Sequence, residues 1–187
     1  MIQIRNKVES VKWISRLGLN TFDKNGETIF ANPSEEDIVR FMDENPIEYY
    51  MIRDKKNSGG KRYLHITRDE VLEHYKEYEL FSLGIANYNY RDNQILAGDI
   101  FISRDNTFMI IASADKTCEH RNFPKPNFIF RSDIFDKRIK NIPGINRIID
   151  YVYKYELFDM VVEFFVFDIP VGANKEYVVI IELRTDY

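Results

Sequence analysis

Two apolar runs near the C-terminus constrain the fold most: VVEFFVF at 161–167 and YVVIIEL at 177–183, joined by the turn-forming segment IPVGANK. Each run has the length and the β-branched and aromatic content of a strand, and each falls far short of the ~20 apolar residues a membrane-spanning helix needs. Strands that follow one another through so short a turn pair antiparallel. The same arrangement recurs upstream. IEYYMIRD (47–54) and YLHIT (63–67) flank KKNSGGK as a hairpin with a glycine-bearing tip. Strand patterns at 80–90, 95–103 and 107–113 are separated by the polar turns Arg91-Asp92-Asn93 and Arg104-Asp105-Asn106. Strands arriving as hairpins predict an α+β fold with mainly antiparallel sheets and disfavour a doubly wound parallel sheet.

Helical periodicity fills the intervals. Residues 7–18 place Val8, Val11, Ile14 or Trp13, and Leu17 at helical spacing, and Gly18 suits the stop. Asn32-Pro33-Ser34-Glu35-Glu36 reads as a helix start, with Ile38, Val39, Phe41 and Met42 on the helix and Asn45-Pro46 beyond its end. Thr67 precedes a helix over 68–78, and 144–156 is amphipathic through Ile145, Ile148, Ile149 and Val152. Residues 114–132 are expected to be the longest irregular stretch, because Pro124 and Pro126 oppose a helix. The chain is expected to be one unit, 1–187, made of two small lobes at 1–79 and 80–187.

Composition narrows the function classes. In 187 residues, 26 Lys and Arg stand against 30 Asp and Glu, for a formal charge of −4, so no basic excess exists to neutralise nucleic-acid phosphates. With 44% hydrophobic residues the chain has the material for a core, which excludes a disordered polymer. A lone cysteine, Cys118, cannot form an intramolecular disulfide, and MIQIRNKVES lacks the apolar run of a signal peptide. These features predict a cytoplasmic protein with neither a membrane nor a nucleic acid as partner.

Three constellations could carry chemistry. The first is the hairpin tip: Arg53 at a strand end, then lysines, Ser58, Gly59, Gly60 and Lys61. Glycines let backbone N–H groups approach an anion, and lysines supply charge against phosphate, although Walker A spacing is absent. An ordinary solvated turn is the equally weighted alternative. The second is Glu163 and Glu182 within the two apolar runs, with Arg184 two positions on and therefore on the same face as Glu182. Carboxylates there need a partner, either a hard cation such as Mg²⁺ or an arginine, Arg184 or Arg53; both readings stay open. The third, Cys118 and His120 with distant His65 and His74, lacks the paired spacing of a zinc site. His65, flanked by Leu64 and Ile66, is expected to face the surface. Tyr88 and Tyr90 at alternate strand positions are expected to pack in a core rather than stack on a base.

Taken in order, these segments resemble the ATP-grasp family. IEYYMIRD resembles the strand whose terminal basic residue contacts the α-phosphate, placing Arg53 there. NSGGK resembles the glycine-rich loop over the triphosphate, carried by Ser58, Gly59 and Gly60, with Lys61 to hold a phosphate. The opening helix followed by LGLNTF resembles the family's entry, and residues 80–113 its hinge and adenine-holding strands. VVEFFVF and VVIIELR resemble the closing hairpin whose acidic residues hold magnesium, which makes Glu163 and Glu182 the metal ligands. Arg184 stands where the family carries an asparagine, and would hold a phosphate. The resemblance implies ATP and Mg²⁺ as cofactors and a ligase that joins a carboxylate to an amine or thiol through an acylphosphate. It also implies a small-molecule substrate, or a partner protein supplying the acceptor-binding domain that precedes this part in the family. A non-catalytic nucleotide-binding or protein-interaction module on the same scaffold is the alternative. Residues 114–132, with Lys116, His120 and Arg121, are a candidate substrate-contacting loop.

Overall fold

The computed structural model describes residues 3–19, 28–57, 60–85, 93–114, 128–168 and 176–185. The chain divides into two compact units, one of residues 20–89 and one of residues 1–19 with 90–187. This corrects the expected lobes 1–79 and 80–187. The strand at Leu80–Ile85 pairs with strands of the first lobe, and the opening helix packs on the last strand of the chain.

The unit of residues 20–89 is built on β1 (Thr28–Ala31), β2 (Tyr50–Asp54), β3 (Arg62–Ile66) and β4 (Leu80–Ile85), in the order β1-β4-β2-β3. All three pairings are antiparallel. Helices α2 (Glu35–Glu44) and α3 (Arg68–His74) each begin with a capping box. Ser34 accepts from Asp37 N–H while Asp37 accepts from Ser34 N–H, and Thr67 and Glu70 do the same. Helix α3 is shorter than the 68–78 expected from periodicity, because a 3₁₀ turn, Tyr75–Glu77, tightens its end. Ile38, Met42, Ile52, Val71, Phe81 and Leu83 form the core. Strand β3 carries a bulge where Leu64 and His65 together oppose Met51, and His65 takes φ +63°. His65 is only partly exposed and its ring stacks on Tyr49 at 3.8 Å.

The larger unit is built on β5 (Gln94–Ile102), β6 (Thr107–Ser113), β7 (Phe128–Asp133), β8 (Val161–Phe167) and β9 (Tyr177–Arg184), antiparallel throughout in the order β7-β6-β5-β8-β9. Strand β7 overlaps the end of the stretch expected to be irregular, 114–132. FIFRSD alternates half-buried and exposed side chains, the period of a sheet edge, and the prolines that mask that pattern lie at 124 and 126. Residues 115–127, with Lys116, Cys118, His120 and Arg121, lie outside the described residues, as do Tyr88 and Tyr90. Helices α1 (Lys7–Leu17) and α4 (Ile145–Tyr155) cover one face, where Ile14, Ile148 and Val152 meet Leu96, Ile100, Phe164, Val166 and Ile180. Gly18, at φ +61°, closes α1 by donating to Ile14 and Ser15 carbonyls. Gly18 is thus the helix stop that the sequence suggested; residues 20–22 of LGLNTF lie outside the described residues.

Candidate functional site

The face of the larger sheet opposite α1 and α4 holds the charged groups. Core side chains on β5 and β8 occupy the even positions (Leu96, Ile100; Val162, Phe164, Val166), so odd positions point the other way. In the antiparallel register Asp99 lies opposite Glu163, and Glu163 lies opposite Glu182. Three carboxylates therefore form one row across three adjacent strands. A β-bulge follows at once, since Glu163 pairs with Glu182 but Phe164 pairs with Ile180. That extra residue keeps the acidic end of β9 on the charged face while Ile180 stays in the core.

Glu163 is only 5% exposed and Glu182 only 7%. Carboxylates so far from water need compensating charge. Arg184 supplies part of it: its Nη2 donates to Asp99 Oδ2 at 2.9 Å, and its Nε lies 3.9 Å from Glu182 Oε1. Burial alone would weaken the guanidinium's hold on its proton. Asp99, then Glu163 and Glu182, more than reverse that effect, and the arginine is raised above its ordinary value. Of the two readings open at the level of sequence, the ion pair is thus present, but with Asp99 as its main partner.

Among the described residues no three or more His, Cys, Asp or Glu side chains are grouped to hold a metal ion. Mg²⁺ asks for less: it keeps most of its water and takes one or two carboxylates plus phosphate oxygens. The facing pair Glu163 and Glu182, all-oxygen and buried, fits that demand. The position of Asp99 was not legible in advance, although a lone aspartate in QILAGDIFI is the same signal that singled out Glu163.

The hairpin tip lies in the smaller unit. Arg53 faces Arg62 on β3 and Ser82 on β4. Asp54 organises the turn, accepting from Lys56 N–H at 2.7 Å, from Asn57 N–H at 3.1 Å and from the Asn57 side chain at 3.0 Å. A Cβ on Gly60 would overlap that carboxylate, so close packing explains this glycine. Ser58 and Gly59 lie outside the described residues. Lys61 donates to Glu77 at 2.5 Å and sits over the Tyr63 ring, and Lys56 pairs with Glu79. Glu77 also accepts from Tyr63 at 3.1 Å and contacts His74 Nδ1 at 2.7 Å, while the Tyr63 and His74 rings stack at 3.9 Å. The Lys61 hydrogen bond first, and His74 second, pull the Glu77 carboxyl down to about 2. The two lysines flanking the tip thus rest on carboxylates of the segment after α3.

No protein-family model matches the chain, and no curated protein matches it. Solved structures do. The D-alanine–D-alanine ligase of Helicobacter pylori superposes with a TM-score of 0.53 at 11% identity, over 96% of this chain and 53% of that one. The macrocyclase MdnC of Microcystis aeruginosa MRC, bound with precursor peptide MdnA, gives 0.49 at 11% identity, over 96% and 52%. The chain spans about half the length of these structures. Among the described residues no helix is long and apolar enough to cross a membrane. The likeness to the ligase is one of fold: this chain has an ATP-grasp-like α+β fold with two antiparallel sheets.

Proposed function

We propose that the chain is a Mg²⁺-dependent ATP-binding protein, in which Glu163 and Glu182 hold the metal and Arg184 contacts a phosphate. The observation that carries this reading is the facing pair Glu163 and Glu182, buried side by side in a row with Asp99 and within reach of Arg184. A divalent cation carrying a polyphosphate would bind the paired carboxylates and bring anionic oxygens to the guanidinium. Arg53 and Lys61, with the glycines of the tip, are separate candidates for phosphate contact, and Lys61 would exchange Glu77 for the incoming anion. As an enzyme, such a protein would transfer the γ-phosphoryl group of ATP to a carboxylate with release of ADP, and the amine or thiol would then take the acyl group from the acylphosphate with loss of its proton and release of inorganic phosphate; charge neutralisation would be the protein's main contribution. The acceptor would be a small molecule or be presented by a partner protein.

A second reading rests on the same arginine. Arg184 already bonds Asp99 and lies close to Glu182, and that is what a non-catalytic module would show if a fixed internal cation replaced the metal. Thermal unfolding with Mg²⁺–ATP, Mg²⁺ alone and EDTA separates the two. Ligand at about 100 times its Kd adds about 2.7 kcal/mol, a rise of roughly 5–10 °C for a chain this long. The proposal expects a rise that EDTA removes and that Glu182→Gln abolishes while far-UV circular dichroism stays unchanged. No rise at millimolar Mg²⁺–ATP refutes the nucleotide site. A rise without ADP release in the presence of carboxylate and amine acceptors favours the non-catalytic module.

A further inference from the structure

Two arginines stand opposite each other on the smaller sheet. Asp54 N–H donates to the Lys61 carbonyl at 3.2 Å, which makes Asp54 and Lys61 a hydrogen-bonded pair. Arg53 and Arg62, the next pair in register, are therefore a non-hydrogen-bonded one. In such pairs the Cα atoms stand about 4.5 Å apart and the side chains rise next to each other from one face. Like charges set directly opposite each other on a sheet are destabilising.

The face they share is the one away from α2 and α3. Ile52, Phe81 and Leu83 point into the core beneath those helices, so the alternate positions of β2 and β4 point the other way. In register, the row across the four strands reads Arg62, Arg53, Ser82 and Ile29. Met51, Leu80 and Gly84 stand in the neighbouring rows, and no described strand residue on this face is acidic. Lys55 N–H donates to the Leu80 carbonyl at 3.0 Å, so the pairing runs one residue past the end of β2 and brings a third cation to the same side. Arg53 and Arg62 are both partly exposed, and so within reach of a dissolved anion.

We propose, resting on the nucleotide site put forward above, that Arg53 and Arg62 act together as a clamp for an oligophosphate, with Arg62 the second phosphate-contacting arginine. A guanidinium presents its donors as a rigid fork that matches two phosphate oxygens. Successive phosphoryl groups offer each fork its own oxygens and set negative charge between the two cations. A single carboxylate has oxygens for one fork only. The clamp thus gives the like-charge pair a purpose that the fold by itself does not supply.

Calorimetric titration of the whole chain with metal-free sodium tripolyphosphate, beside Mg²⁺–ATP, tests the clamp. Tripolyphosphate should bind, and Arg53→Gln and Arg62→Gln should each weaken it about tenfold or more, with Mg²⁺–ATP weakened alongside. Without ligand and at low salt, Arg62→Gln should unfold in urea at the wild-type midpoint or above it, because a like-charge neighbour has gone. An arginine kept only for an internal ion pair would do the opposite: the midpoint would fall and both affinities would stay. That result overturns the proposal, and so does a wild-type chain that fails to bind tripolyphosphate. Arg62→Thr, whose side chain suits a strand, repeats the measurement should glutamine disturb this edge of the sheet. Tripolyphosphate held by both arginines without any binding of Mg²⁺–ATP refutes the nucleotide site and leaves the clamp. Mg²⁺–ATP bound equally by wild type and Arg62→Gln refutes the clamp and leaves the nucleotide site.

Discussion

Arg184 balances carboxylates from three strands, and removing it tests that role directly. Arg184→Met keeps much of the side-chain volume but removes the guanidinium that bonds Asp99 and lies close to Glu182. Breaking a buried pair this way costs about 3–5 kcal/mol. The guanidinium and Asp99 keep 25% and 30% side-chain exposure, so the low end, about 3 kcal/mol, is expected in urea unfolding. Adding Mg²⁺ to that variant should recover part of the loss if the carboxylates accept a metal. Glu77 offers a second test at this scale, through pH. Its folded value lies below the ordinary carboxylate value of 4.5, at about 2. The stability it contributes is therefore complete above pH 4.5 and is lost as pH falls through about 2. A ¹³C titration of its carboxyl should show a midpoint near 2 that climbs in Lys61→Met. A wild-type midpoint at the ordinary value would mean that Lys61, His74 and Tyr63 do not hold this carboxylate in solution.

At the scale of the element, most of what forms is encoded locally. Thr67 and Glu70 satisfy each other's backbone at the start of α3, a helix of seven residues that has little propensity in reserve. Thr67→Ala should cost about 1 kcal/mol, and Glu70→Ala added to it should cost less than the sum of the single changes, because the two hydrogen bonds form one box. Chemical unfolding of the three variants checks this. The caps, the Gly18 stop and the apolar runs of β8 and β9 could all be read from neighbouring residues. Two element-scale expectations missed for reasons equally local. Prolines at 124 and 126 concealed the period-two pattern of FIFRSD, and the 3₁₀ turn at Tyr75–Glu77 cut short a helix that periodicity extended to Tyr78.

At the scale of the whole molecule, α1 belongs with the sheet of β5–β9, although most of that sheet lies more than 80 residues away in sequence. Ser10 makes the connection: it is 1% exposed, and its hydroxyl is the acceptor for the buried Leu183 N–H. Ser10→Ala leaves that N–H without its acceptor and should cost about 1–3 kcal/mol. Hydrogen exchange should show reduced protection along β9 and unchanged protection in β1–β4. Loss of protection in β1–β4 instead would contradict the division of the chain.

The α+β class, the hairpin order, the helix starts and the candidate carboxylates Glu163 and Glu182 followed from sequence by itself. Hydrophobic period, turn chemistry and caps act between residues a few positions apart, and each leaves its mark where it acts. Tertiary structure alone decided that Asp99 joins the two glutamates, that Arg184 bonds Asp99 across 85 positions, that Lys61 rests on Glu77, and that the first helix serves the last strand. Those facts depend on register and on long-range packing. A single bulge after Glu163 is enough to turn one face of a strand into the other, and no local pattern records it.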